Sequence, residues 1–122
     1  MRVFTALATA VCLMLAGCED HYRPLQVAGG DADRGRRLIT QFQCSACHVI
    51  PGIAGVRGEA GPSLAAFGRR SYIAGRIPNQ PDRLMQWLAD PPAMKPGTLM
   101  PGMGLSAQDA RDMAAYLYTL DE

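Results

Sequence analysis

Five adjoining residues, Cys44-Ser45-Ala46-Cys47-His48, constrain this chain more tightly than its length or its composition. Two thiols three positions apart can each form a thioether to one of the two former vinyl groups of a porphyrin. The histidine that follows is then held beneath the ring, where its imidazole reaches the iron. A bare Cys-x-x-Cys also fits a redox disulfide or half of a zinc site. The adjoining histidine and the lack of a second cysteine pair argue against zinc. The βαβ surroundings that a thioredoxin-like pair needs are not found. The motif therefore predicts one covalent haem c, attached through Cys44 and Cys47, with His48 as proximal ligand.

The rest of the chain is read around that group. Its 122 residues support a single domain once a targeting segment is set aside. A core that small gains much from an apolar cofactor. The formal charge of +1 gives no basic excess, which argues against nucleic acid as a partner. Lys95 is the only lysine, so a lysine-ringed docking face is not available.

Arg2 followed by an apolar or small run from Val3 to Gly17, then abrupt polarity at Glu19, describes a secretory signal peptide. The run is short for a membrane span, which needs about 20 apolar residues. Leu15-Ala16-Gly17-Cys18 resembles a bacterial lipobox, and such motifs are lipidated on the cysteine. The expected organisation is a signal peptide over 1–17, a lipid-anchored flexible tether over 18–30 and a domain over 31–122. Cys18 would be the anchored residue, on the periplasmic side of a bacterial membrane, with more than one acyl chain giving stable attachment. All 11 acidic residues lie after Cys18, so the mature polypeptide is formally neutral.

Along the domain, Asp31 opens a helix to about Phe42, with Leu38, Ile39 and Phe42 on one face. Gly35 inside it costs about 1 kcal/mol against alanine and implies close approach by another helix. Residues 49–68 are rich in glycine and proline and read as loop. Pro81 starts a helix that the Pro91-Pro92 pair stops. Residues 96–105 are irregular. Ser106 starts the last helix, with Asp109 placed for a capping box and Met113, Tyr116, Leu117 and Leu120 as its apolar stripe. No strand-like alternation is present. Asn79 is placed to cap the Pro81 helix.

The iron needs a sixth ligand. His21, the only other histidine, falls in the expected tether. The methionines available are Met85, Met94, Met100, Met103 and Met113. Met85 and Met113 sit in helical patterns that suit a core, whereas Met94 and Met103 lie in loops. Met100 stands out because Pro96 and Pro101 stiffen the loop that carries it.

From about Gly30 to Leu120 the chain resembles the class I cytochrome c family. The resemblance rests on Gly30-Asp31-Ala32-Asp33-Arg34-Gly35, the haem motif, Gly61-Pro62-Ser63-Leu64 and Phe67-Gly68-Arg69-Arg70. It continues through Trp87-Leu88-Ala89-Asp90-Pro91, Pro96-Gly97-Thr98-Leu99-Met100-Pro101 and Ala115-Tyr116-Leu117. It implies an all-α fold, with about three to five helices and loops wrapped around one covalently bound haem. It implies Met100 as the axial ligand opposite His48, and a Pro62 carbonyl that orients the imidazole. It also implies Arg69 near a propionate, Trp87 near the methionine, and Gly35 packed against the last helix near Tyr116.

Paired His and Met ligands favour electron transfer over chemistry at the iron, so the chain is expected to be an electron carrier rather than an enzyme. The expected role is a membrane-tethered, monomeric carrier in a respiratory chain, working to or from a terminal oxidase or respiratory dehydrogenase. Two alternatives stand beside it. One is a haem relay subunit of a larger dehydrogenase or oxidase. The other is a gas sensor or enzyme in which Met100 leaves the iron.

Overall fold

The structure, a computed structural model, describes residues 22–56 and 58–122. The signal peptide and Cys18 lie outside the described residues, as does the first part of the expected tether. Four helices occur among the described residues: α1 (Ala32–Gln41), α2 (Pro81–Ala89), α3 (Pro91–Met94) and α4 (Ala107–Leu117). Single 3₁₀ turns cover Cys44–Ala46 and Phe67–Arg69. No helix described is long and apolar enough to cross a membrane.

Each helix begins where its first residues require. The Asp31 carboxylate accepts from the Arg34 backbone N–H and opens α1. Pro81 occupies the first turn of α2, where its missing N–H costs nothing. Ser106 and Asp109 form a reciprocal capping box at the start of α4. The proline pair ends α2 as expected, but the chain does not stay irregular. Asp90 caps a further turn, α3, by accepting from the Ala93 N–H.

The frame of the domain is the crossing of α1 and α4. Gly35 lies so close to the Asp112 carbonyl and the Met113 nitrogen that a Cβ there would collide with α4 backbone. The contact falls about one turn before Tyr116, where it was expected. Around it, Leu38 and Ile39 of α1 meet Ala110, Met113, Ala114 and Leu117 of α4, and all are buried. Fully burying one such large side chain stabilises by roughly 1.5–3 kcal/mol. Leu84, Trp87 and Leu88 of α2 close the same core.

Arg34 fastens the crossing at its open end. Its guanidinium bonds Asp109 and Asp112 of α4. Asp112 is buried and also accepts from the Asp31 N–H at 2.9 Å and from Gln108 Nε2 at 2.8 Å. Burial opposes its charge, yet these donors outweigh it and hold the carboxyl below the usual carboxylate range.

Two features depart from the expectations. Tyr72–Ile73 (β1) and Ile77–Pro78 (β2) pair antiparallel, with Ile73 opposite Ile77. Segments of two residues are too short to show a period of two. The described part of residues 18–30 also lies on the domain. Val27 packs against the core, Gly29 O accepts from Gln108 Nε2 at 3.1 Å, and the Arg69 guanidinium sits 4.4 Å above the Tyr22 ring.

Candidate haem site

The motif is shaped by the end of α1. Phe42 caps that helix, and Gln43 takes a left-handed conformation, φ 54°, that turns the chain into the 3₁₀ turn of Cys44–Ala46. Cys44 O then accepts from both the Cys47 and the His48 N–H groups, at 3.2 and 3.0 Å. This tight coil presents Cys44, Cys47 and His48 to one cavity of about 720 Å³.

A loop from Gly58 to Pro62 supports the motif from beneath. Gly58 N–H donates to Ser45 O at 3.1 Å, and Gly61 N–H to Cys47 O at 2.8 Å. Neither glycine has room for a side chain, since a Cβ on Gly58 would enter the Ala46–Cys47 backbone and one on Gly61 the His48 ring. Pro62 O accepts from His48 Nδ1 at 2.7 Å. With Nδ1 donating, Nε2 carries the lone pair and is the nitrogen free to ligate a metal.

The loop after α3 brings Thr98 to Pro101 to the wall of the same cavity, with Met100 half-buried. Thr98 Oγ1 accepts from the Met100 N–H at 3.3 Å. Trp87 lines the same cavity while remaining buried in the core. Met103 also lines it but is exposed. Met113 is core, and Met85 and Met94 pack against the core without reaching the cavity.

Of the residues read from the sequence, Cys44, Cys47, His48, Pro62, Trp87 and Met100 converge on this cavity, and Arg69 does not. Arg69 Nε donates to Asp121 O at 2.9 Å, and its guanidinium stacks on Tyr22. The next residue, Arg70, lines the cavity instead and donates to Ala65 O at 3.0 Å and to Ser63 O. Adjacent arginines leave the turn in different directions, so Arg70 lines the cavity and Arg69, the residue implied near a propionate, does not. Asn79 does not cap α2. It is buried, its Nδ2 donates to Phe67 O and Arg70 O, and its Oδ1 accepts from Tyr118 Oη. Gly58 and Asn79 carry no local signal for these contacts, which depend on residues far along the chain.

The cavity suits a flat apolar group held at one edge. Its volume falls within the range of about 300–1,000 Å³ usual for cofactor sites. Phe67, Ile73, Leu64 and Trp87 supply apolar wall, and two thiols stand beside an oriented imidazole. Burial pushes the Cys44 thiol up from its ordinary value. Bound there, haem c supplies one iron that changes oxidation state by a single electron.

Comparison with known proteins agrees with this geometry. The cytochrome c family model matches residues 32–121. The chain is 34% identical over 90 residues to cytochrome c oxidase subunit 2 of Alkalihalophilus pseudofirmus, covering 73% of this chain and 25% of that protein. It is 31% identical over 110 residues to cytochrome c-552 of Bradyrhizobium diazoefficiens, covering 90% of this chain and 91% of that one. SoxXA from P. pantotrophus shares the fold, with a TM-score of 0.59 at 24% identity over 76% of this chain and 83% of that one. The chain spans only about a quarter of the oxidase subunits it matches. It is a class I, monohaem c-type cytochrome domain, built for electron transfer. The chain belongs to the cytochrome c family, and its cofactor is haem c, bound covalently through cysteine.

Proposed function

We propose that this chain is a membrane-tethered carrier of single electrons in a respiratory chain, exchanging them with a terminal oxidase. The observation that supports the electron-carrier part of this reading is the cavity shared by both thiols, by His48 oriented on Pro62 O, and by the Met100 loop. His48 Nε2 and Met100 Sδ are the two side-chain atoms that would hold the iron. Held by an imidazole and a thioether, haem c would supply one-electron transfer rather than an open site for substrate. The thioether raises the potential relative to a second imidazole, and the apolar walls disfavour the extra charge of ferric haem. Arg70, on the cavity wall, would be the cation available to a propionate, because Arg69 is engaged elsewhere.

A redox titration of the haem-loaded protein tests the ligand pair. The midpoint is clearly positive, and Met100→Ala lowers it by on the order of 0.1–0.2 V, inside the span of about 0.8 V that axial ligands cover. The Met100→Ala ferrous form also binds carbon monoxide, which the native form resists. A strongly negative native midpoint would overturn methionine ligation.

Similarity to oxidase subunit 2 supports the choice of partner. The tether rests on Leu15-Ala16-Gly17-Cys18, with anchoring that replaces long-range steering by local concentration. Labelled fatty acid enters the exported protein and is lost in Cys18→Ala if the anchor is real. The quarter-length match to the oxidase subunits also favours a second reading, a haem relay within a larger complex. Purification from native membranes separates the two. A carrier elutes alone, and a relay elutes with its complex.

A further inference from the structure

We propose that Lys95 is a positioning residue that latches the Met100 loop shut across the haem cavity. The inference rests on Met100 being the axial ligand. Lys95 is the only lysine of the chain. Its Nζ donates to Ala74 O at 3.0 Å and so joins two residues of the cavity lining. Ala74 begins the turn between β1 and β2 and is itself held left-handed, φ 50°, so its carbonyl direction is set by the ribbon. Ala74, Lys95 and Met100 all line the same cavity.

From Lys95 the connection runs on to the ligand. Lys95 N–H donates to Pro91 O at 2.9 Å, which ties its backbone to α3. Its carbonyl accepts from the Thr98 N–H at 3.1 Å, and Thr98 Oγ1 accepts from the Met100 N–H at 3.3 Å. The ribbon turn is thus joined to the Met100 backbone through consecutive hydrogen bonds, and Lys95 Nζ is the link between the ribbon and the loop. Regular structure does not hold residues 95–105, so few other bonds restrain this loop. Loss of the link frees the loop to swing out and carries Met100 off the iron more often.

Imidazole binding to the ferric holoprotein reads that opening, because an external ligand binds only the fraction of molecules whose methionine has left. Lys95→Leu keeps an apolar stem along the wall and removes the donor. Lys95→Arg keeps the donor and the charge. Imidazole affinity rises about fivefold in Lys95→Leu, the shift expected from one net hydrogen bond, and changes less than twofold in Lys95→Arg. Hydrogen exchange at the Met100 amide accelerates by a similar factor in Lys95→Leu alone. Met100→Ala serves as the reference and binds imidazole far more tightly than the native protein. If Met100→Ala binds tightly while Lys95→Leu matches the native protein, the latch is wrong and methionine ligation stands. An equal rise in the leucine and arginine variants also overturns the latch. If Met100→Ala matches the native protein, methionine ligation fails and the latch falls with it.

Discussion

No side chain fits between Gly61 and His48, since a Cβ built on Gly61 would meet imidazole Nδ1 at 2.6 Å. The glycine lets the loop run directly beneath the ring, so that the next carbonyl, Pro62 O, accepts from the same nitrogen at 2.7 Å. Gly61→Ala must push the ring or the loop away and break that bond. An imidazole that loses a carbonyl partner is a poorer donor to iron, which favours the ferrous state. The midpoint potential of Gly61→Ala therefore rises by on the order of 20–60 mV, the one-electron equivalent of roughly 0.5–1.5 kcal/mol. A redox titration beside the native protein checks this. An unchanged or lower potential would show that Pro62 O does not tune the iron.

The crossing of α1 and α4 makes a separate demand at Gly35. Its missing side chain is filled by the Asp112–Met113 backbone, so Gly35→Ala gains helix propensity and still loses stability. Overpacking of this kind costs about 1–3 kcal/mol. Chemical denaturation of the holoprotein shows a lower midpoint with an unchanged slope. A variant as stable as the native protein would mean that the helices separate cheaply.

Much of this architecture was legible in the residues, and the reasons differ by element. The haem motif is local chemistry, complete within Cys44 to His48. The capping box of Ser106 and Asp109 is likewise local, and so is the need for a close neighbour at Gly35. The identity of that neighbour is not local. Gly35 meets Asp112 and Met113, about one turn before Tyr116 on the same helix, because crossing register is set by packing along both helices. The choice between Arg69 and Arg70 depends on how a single 3₁₀ turn is rotated, which their identical side chains do not encode. The β1–β2 ribbon has too few residues to show a period, and its turn supplies the Ala74 carbonyl that holds Lys95.

Asn79 illustrates a role visible only in three dimensions. Its amide joins Phe67 O, Arg70 O and the Tyr118 hydroxyl, and so braces the 3₁₀ turn behind the cavity against the end of the chain. Burial, with Tyr22 nearby, pushes the Tyr118 phenol up to about 12. Asn79→Ala leaves buried carbonyls and a hydroxyl without their partner, at a cost of about 1–3 kcal/mol. Thermal melting of the holoprotein measures it. A cost well below that range would mean that water replaces the amide.

Asp112 makes stability depend on acidity in a definite direction. Its folded-state carboxyl lies below the ordinary value of 3.8, as burial is outweighed by bonds from Asp31 N–H, Arg34 and Gln108. A depressed carboxyl contributes fully once pH exceeds the unfolded value, and that contribution is lost as pH falls through the folded one. The native protein therefore loses stability on acidification below about pH 4, where the unfolded chain takes up this proton first. Asp112→Asn cannot carry the charge that Arg34 meets, and its amide turns a donor toward donors. It melts several degrees lower at pH 7, and its melting temperature falls less steeply than the native one from about pH 4 downward. Parallel melting curves across that range would show that Asp112 is not the group whose protonation loosens the α1–α4 crossing.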